Sequence, residues 1–157
     1  MSMTKVDALH TTEDRAKGGS EPVSMEFVEH IASHGKSLAY IIRAEIDPKQ
    51  TTFLTPPELK QQVGFVVYPA GGEVKRHVHL ALQRHLVGTS EVIVLRRGRC
   101  EIDIYDDERT LIASRELRPG DIMLMTGGGH GFRMMEDTVL LEVKQGPYTG
   151  IDEKEHF

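Results

Sequence analysis

The chain has 157 residues, of which 39% are apolar and 27% charged, with a formal net charge of −5, and this suits one domain whose core is large enough to fold alone. The negative charge offers no electrostatic basis for binding nucleic acid or an anionic membrane surface, and no run approaches the roughly 18 apolar residues of a membrane span. The N-terminus lacks the apolar stretch of a secretory signal, and the single cysteine, Cys100, excludes an internal disulfide, so we expect a protein of the reducing cytoplasm.

The N-terminal part of the chain differs in pattern from the rest. Residues 1–24 are polar and lack periodicity, which predicts a mobile leader or a loosely docked extension. A serine at the end of this stretch could cap a short helix over residues 25–33, and Gly35 could end it. We therefore predict an extension with a short helix over residues 1–37 and a single barrel over residues 38–157.

The remaining sequence alternates short apolar-rich segments with turn residues, and the fifteen glycines and seven prolines favour many turns. The pattern predicts strands over residues 38–46, 51–54, 62–68, 74–79, 91–96, 100–105, 110–116, 122–125 and 138–145. Because there is no alternation of strands with helices, an all-β sandwich or barrel is expected. Cys100 lies in an alternating strand, so a packed thiol is expected rather than a nucleophile.

Three histidines and one glutamate form a candidate metal site. His77 and His79 are two residues apart, so on a strand both side chains point the same way, and Lys75 shares their face. Glu91 opens a neighbouring strand, and His130 follows three glycines in a predicted loop. Imidazole and carboxylate groups in this combination suit a first-row divalent metal with positions left open for water or substrate.

Two stretches resemble the cupin superfamily. Residues 72–98, with the pattern Gly-(x4)-His-x-His … Glu-(x6)-Gly, look like the first cupin motif, and residues 120–130, which end in Thr-Gly-Gly-Gly-His, resemble the second. Together they span residues 63–145. The resemblance implies a double-stranded β-helix, or jelly-roll barrel, that holds a divalent ion such as zinc, manganese, iron or nickel. The ligands that it implies are His77, His79, Glu91 and His130.

The stretch between the histidine pair and the glutamate is longer than the family's usual spacing. We interpret residues 80–90 as an inserted hairpin tip or mouth loop. A stricter spacing would place Gln83 in the acid position, but only Glu91 leads into an apolar strand closed by Gly98. Edge strands of single barrels often pair between subunits, so a homodimer is expected.

The end of the chain is similar to the closing segment of type II phosphomannose isomerase domains. An apolar strand runs into Glu142-Val143-Lys144, and Gly146, Tyr148, Gly150 and Asp152-Glu153 occupy matching places. This similarity implies a metal-dependent isomerase or epimerase that acts on a phosphorylated or nucleotide-linked sugar. The same residues would also serve as a turn that folds the tail over the barrel.

An isomerase needs a base that moves a proton between neighbouring carbons, with a pKa near the working pH. Lys75, Glu142 and His85 are the candidates, in that order. Arg84, on the same insertion as His85, could meet a phosphate or be a solvated loop residue.

Two other functions fit the same ligands. One is an iron-dependent oxygenase, and the other is a module that binds a small molecule such as a sugar without turning it over. A cupin-like fold supports all three, so fold alone does not choose between them.

Overall fold

The structure is a computed structural model that describes residues 25–148, 150 and 153–157. Strands make up 41% of it and helix 2%, and the strands pair in antiparallel fashion, which confirms the prediction of an almost entirely β protein. The predicted leader over residues 1–24 lies outside the described residues. No helix within the described ranges is long and apolar enough to cross a membrane.

The described chain contains ten strands after a short 3₁₀ turn at Met25–Phe27. Five of them form one sheet in the order β1-β2-β8-β5-β10, three form a second sheet in the order β7-β6-β9, and β3 pairs with β4. The strands are β1 (Val28–Ser33), β2 (Lys36–Ile42), β3 (Thr52–Phe53), β4 (Gly64–Phe65), β5 (Glu91–Arg97), β6 (Cys100–Tyr105), β7 (Leu111–Leu117), β8 (Ile122–Met125), β9 (Gly129–Met134) and β10 (Val139–Lys144).

The helix predicted over residues 25–33 is wrong, because most of that segment is strand β1, paired with β2. Val28 and Ile31 are both buried, but only Ile31 belongs to the core cluster between the sheets. These two residues, three positions apart, are therefore buried on two different faces of a strand. His34 and Gly35 have φ angles of 50° and 75°. Two consecutive positive φ angles are typical of a tight hairpin turn, so Gly35 closes a hairpin instead of ending a helix.

The two larger sheets pack against each other as a sandwich. Alternate residues of β5 and β6 are buried, and one hydrophobic cluster joins residues of both sheets. Cys100 belongs to that cluster with 0% exposure, as predicted, and desolvation by burial raises the pKa of its thiol. Along one side the sheets are linked from β7 to β1, where Arg115 Nε donates to both carboxylate oxygens of Glu29 at 2.9 Å.

The other side of the sandwich is open, along β9 and β10. Each of these strands has a single hydrogen-bonded neighbour among the described residues, and no closed barrel is formed there. The strand predicted over residues 74–79 is not formed. Neither face of that segment carries more than two apolar residues, so burial alone does not hold it in a sheet.

Residues 68–89, which we call the arm, contain no strand, and every one of them is exposed. Both ends of the segment that carries the arm are held at the end of β10. There the amide of Ser90 donates to Gln145 Oε1 at 2.8 Å, and Gln145 Nε2 donates to Gln61 Oε1 at 3.2 Å. The arm therefore leaves the sandwich and returns to it beside the open edge.

Candidate functional site

A glutamate and a histidine from opposite sheets meet at the open side of the sandwich. Glu91 is the first residue of β5 and shares its inner face with Ile93 and Leu95, so its carboxylate points between the sheets. His130 is the second residue of β9 and lies opposite Ile104 of β6. Its Nε2 is 3.3 Å from Glu91 Oε2, and the two side chains are only 26% and 8% exposed.

The glycines before His130 determine where it lies. Gly128 has a φ of +67°, and a Cβ atom there would lie 2.1 Å from the carbonyl oxygen of Tyr105. Only glycine permits this close approach, which lets the chain enter β9 directly against β6. His130 was predicted in a loop, and the structure places it in a strand, where pairing with β6 fixes its direction.

The buried carboxylate of Glu91 is incompletely satisfied. Its Oε2 atom has no hydrogen-bond partner within the described part of the chain, and its Oε1 atom is 4.0 Å from Lys144 Nζ. Leaving a buried acceptor unpaired is costly, which suggests that this atom meets another group when the protein functions.

The imidazole of His130 is held in its neutral form. Burial lowers the pKa of His130, and the charge of Glu91 opposes this shift only in part. A neutral imidazole has a lone pair that can bind a metal or accept a proton. The ring also lies edge-on to Phe132, with centroids 5.6 Å apart, so one wall of the site is apolar.

Lys144 is a site residue that the sequence reasoning did not select. It lies opposite Glu91 in the pairing of β10 with β5, and its Nζ is 3.1 Å from Glu142 Oε1. The hydrogen bond that Lys144 Nζ donates to Glu142 is the main cause that raises the pKa of Lys144, so this ammonium stays charged. The available signal was parity, since Lys144 shares a strand face with the candidate base Glu142.

The other predicted residues lie on the arm, away from this cluster. His77 and His79 face each other edge to face with ring centroids 5.2 Å apart, and His77 Nδ1 is 2.9 Å from the carbonyl oxygen of Lys75. Lys75, His85 and their neighbours Gln83 and Arg84 are exposed. Within the described residues no group of three or more His, Cys, Asp or Glu side chains is arranged to hold a metal ion. The structure thus unites Glu91, His130 and Glu142 with Lys144.

The Glu91–His130 pair has the chemistry and spacing of two metal ligands. Carboxylate oxygen and imidazole nitrogen bind zinc at about 2.0–2.2 Å, so two donors on one tetrahedral or octahedral ion lie roughly 3.0–3.4 Å apart. The observed 3.3 Å separation falls within this span. Two residues of the predicted ligand set are thus adjacent, whereas the other two lie on the arm.

Comparisons with protein-family models, with curated proteins and with solved structures found no match to this chain.

Proposed function

We propose that Glu91 and His130 are half of a divalent-metal site that His77 and His79 of the arm complete. The observation that carries this proposal is the buried Oε2 of Glu91, which has no hydrogen-bond partner among the described residues and lies 3.3 Å from His130 Nε2. A cation between them would satisfy the orphaned oxygen and use the neutral imidazole. Neutral histidine and ionised glutamate are the forms that bind metal.

Completion of the site would also complete the fold. One further strand beside β10 would extend the five-stranded sheet to six strands, and one beside β9 would extend the three-stranded sheet to four. The sandwich would then close into the jelly roll that the cupin motifs imply. Residues 61–68 already alternate between half-buried and exposed side chains. Residues 74–79 carry the histidine pair on a single strand face. Both segments therefore have patterns that suit strands paired with the open edges of β9 and β10.

The activity that we propose is metal-dependent isomerisation or epimerisation of a phosphorylated or nucleotide-linked sugar. When bound, the metal would supply polarisation of a carbonyl and a hold on adjacent sugar oxygens. Glu142, whose side chain is 43% exposed and 3.1 Å from Lys144 Nζ, would accept a proton from a sugar carbon. Lys144 is charged and suited to orient Glu142 and to return a proton to an oxygen. Lys75 and His85 would reach the site only with the arm.

The test is elemental analysis of protein purified without chelators or a metal-affinity tag. We expect about one equivalent of zinc, manganese or nickel per chain, and turnover of sugar phosphates that Glu142→Gln abolishes while leaving the metal in place. Bound iron together with oxygen uptake would overturn this proposal in favour of the iron-dependent oxygenase. Bound sugar without turnover would leave a binding module. Protein that holds no metal even after reconstitution would overturn the metal site.

A further inference from the structure

We infer that the arm is exchanged between two copies of this chain, so that the histidine pair of each copy meets Glu91 and His130 of the other. The inference rests on the proposed metal site, because it states which chain supplies the remaining ligands. Neither site would be complete in a single chain.

The arm carries an apolar surface that its own sandwich does not cover. Val78 is 82% exposed, Leu80 78% and Val87 86%. The hydrogen bonds described within the arm are local, such as that from the amide of Gly72 to the carbonyl of Pro69 at 3.0 Å. Several large apolar groups this exposed on one segment point to an interaction surface.

The receiving surface has matching pairing groups and apolar groups. β9 and β10 each offer a free edge in the described structure, and the exposed Leu141 (50%) and Val143 (52%) of β10 extend an apolar strip along it. The arm contains three basic residues and one acidic residue, Glu73, and the carboxylates of Glu91 and Glu142 at the opening lie beside Lys144. Free edges and apolar surface, rather than net charge, therefore match the arm to this side of the sandwich.

A second copy is the occupant that fits the geometry. Gln145 fixes both ends of the arm-bearing segment at the end of β10, and from there the arm projects into solvent. A two-fold-related copy presents the same open edges and the same projecting arm. One exchange thus buries both arms and covers the free edges of β9 and β10, which gives a closed dimer at low cost because the elements are identical.

The first experiment detects the exchange by measuring the zinc content of a heterodimer. One chain carries His77→Ala and His79→Ala, and the other carries Glu91→Gln and His130→Asn, with different peptide tags so that the heterodimer can be isolated after co-expression. Exchange leaves one intact site in each heterodimer, so zinc per chain should be about half the wild-type value. The unmixed variants supply the background.

Zinc in the heterodimer no higher than in the unmixed variants, with wild-type protein loaded normally, would show that the arm closes on its own chain and would overturn the exchange alone. If wild-type protein holds no zinc, the proposed metal site fails.

A second experiment reads the exchange without metal. One chain carries Val78→Cys and the other Arg133→Cys on β9, and a bis-maleimide joins cysteines that lie close together; Cys100, which is 0% exposed, is inaccessible to it. Exchange predicts a covalent heterodimer. Its absence, together with internal cross-linking in a chain that carries both substitutions, would overturn the exchange whatever the zinc result.

Discussion

Glu91 Oε2 lies 3.3 Å from His130 Nε2 although the two residues belong to different sheets, and the same oxygen has no hydrogen-bond partner among the described residues. A buried carboxylate is stable when it is paired and fully hydrogen-bonded. Here Lys144, at 4.0 Å from the other oxygen, is the nearest charged partner that the structure gives. The carboxylate of Glu91 is therefore only partly satisfied, and burial favours the neutral form of the His130 imidazole. Both features support the proposed cation between the two groups.

Replacement of Glu91 by glutamine should remove a negatively charged ligand without changing the shape of the side chain. Loss of a group that merely orients a ligand typically costs 10–100-fold in metal affinity, so we expect about 100-fold or more here. Isothermal titration calorimetry of metal-free protein with zinc measures this loss of affinity. Glu73→Gln, on the exposed arm, is the matched control and should bind zinc as wild type does. Equal zinc affinity in the two variants would show that Glu91 is not a metal ligand.

His77→Ala should also lose most of its metal while the protein stays folded, because His77 is exposed and contributes nothing to the core. Elemental analysis gives the metal content, and circular dichroism checks the fold. Gln83→Ala, also on the arm, is the control, since Gln83 stands in the acid position under the stricter motif spacing. Unchanged metal stoichiometry in His77→Ala, or a loss in Gln83→Ala alone, would contradict the proposed ligand set.

The lowered pKa of His130 predicts a pH dependence of stability in metal-free protein. The unfolded histidine titrates near 6.5, and the folded one below it because of burial. Between these two pKa values the unfolded state binds more protons than the folded state. The free energy of unfolding should therefore fall as the pH is lowered from about 6.5 to the folded pKa. Below the folded pKa, His130 is protonated in both states and causes no further change. The fall should be about 1.4 kcal/mol for each pH unit that separates the two values.

Urea unfolding of chelator-treated protein between neutral and acidic pH measures this dependence. His130→Gln should flatten it over that range, whereas His85→Gln, a substitution on the exposed arm, should leave it as in wild type. A slope that His130→Gln does not alter would show that another group is responsible.

The sheet core was predictable from sequence, and the site only in part. The predicted segments 100–105 and 122–125 match β6 and β8 residue for residue. Alternate side chains of β6 are buried, and three consecutive residues of β8 are buried, so a short apolar segment bounded by turns was enough to locate each strand. β1 was missed because its two buried apolar residues, Val28 and Ile31, lie on different faces of the strand. Lys144 was passed over because its importance comes from pairing with β5, a long-range contact that one strand's pattern does not contain. Residues 74–79 of the arm were predicted as a strand that presents both histidines on one face, whereas forming that strand needs a partner edge.

Asp121 should be a structural anchor at the turn into β8. It is 3% exposed, and it accepts hydrogen bonds from Arg43 Nη1 at 2.9 Å and from the amides of Ala44 and Arg118 at 2.9 and 3.0 Å. Asp121→Ala would leave these donors unsatisfied, so we expect a loss of roughly 2–4 kcal/mol in the free energy of unfolding. Thermal or urea unfolding measures it.

The control for this anchor is Asp47→Ala, because Asp47 forms an ion pair with Lys49 but its side chain is 77% exposed. An exposed pair of this kind contributes about 0–1 kcal/mol. A comparable loss of stability in the two variants would mean that the buried hydrogen bonds of Asp121 do not hold the turn in place.

Gly128→Ala tests whether the backbone conformation before β9 positions His130. The substitution forces a side chain into a left-handed conformation, with φ at +67°, and places its Cβ 2.1 Å from the Tyr105 carbonyl. The conformational term alone costs about 1–2 kcal/mol, and relief of the clash should push β9 away from β6 and carry His130 with it. We therefore expect lower stability and weaker zinc binding together. Gly131→Ala, three residues later on β9, meets no atom within 4 Å and should change neither property. Loss of stability in Gly128→Ala with full zinc affinity would show that His130 keeps its place without this glycine, and that the register of β9 is set by the strand pairing alone.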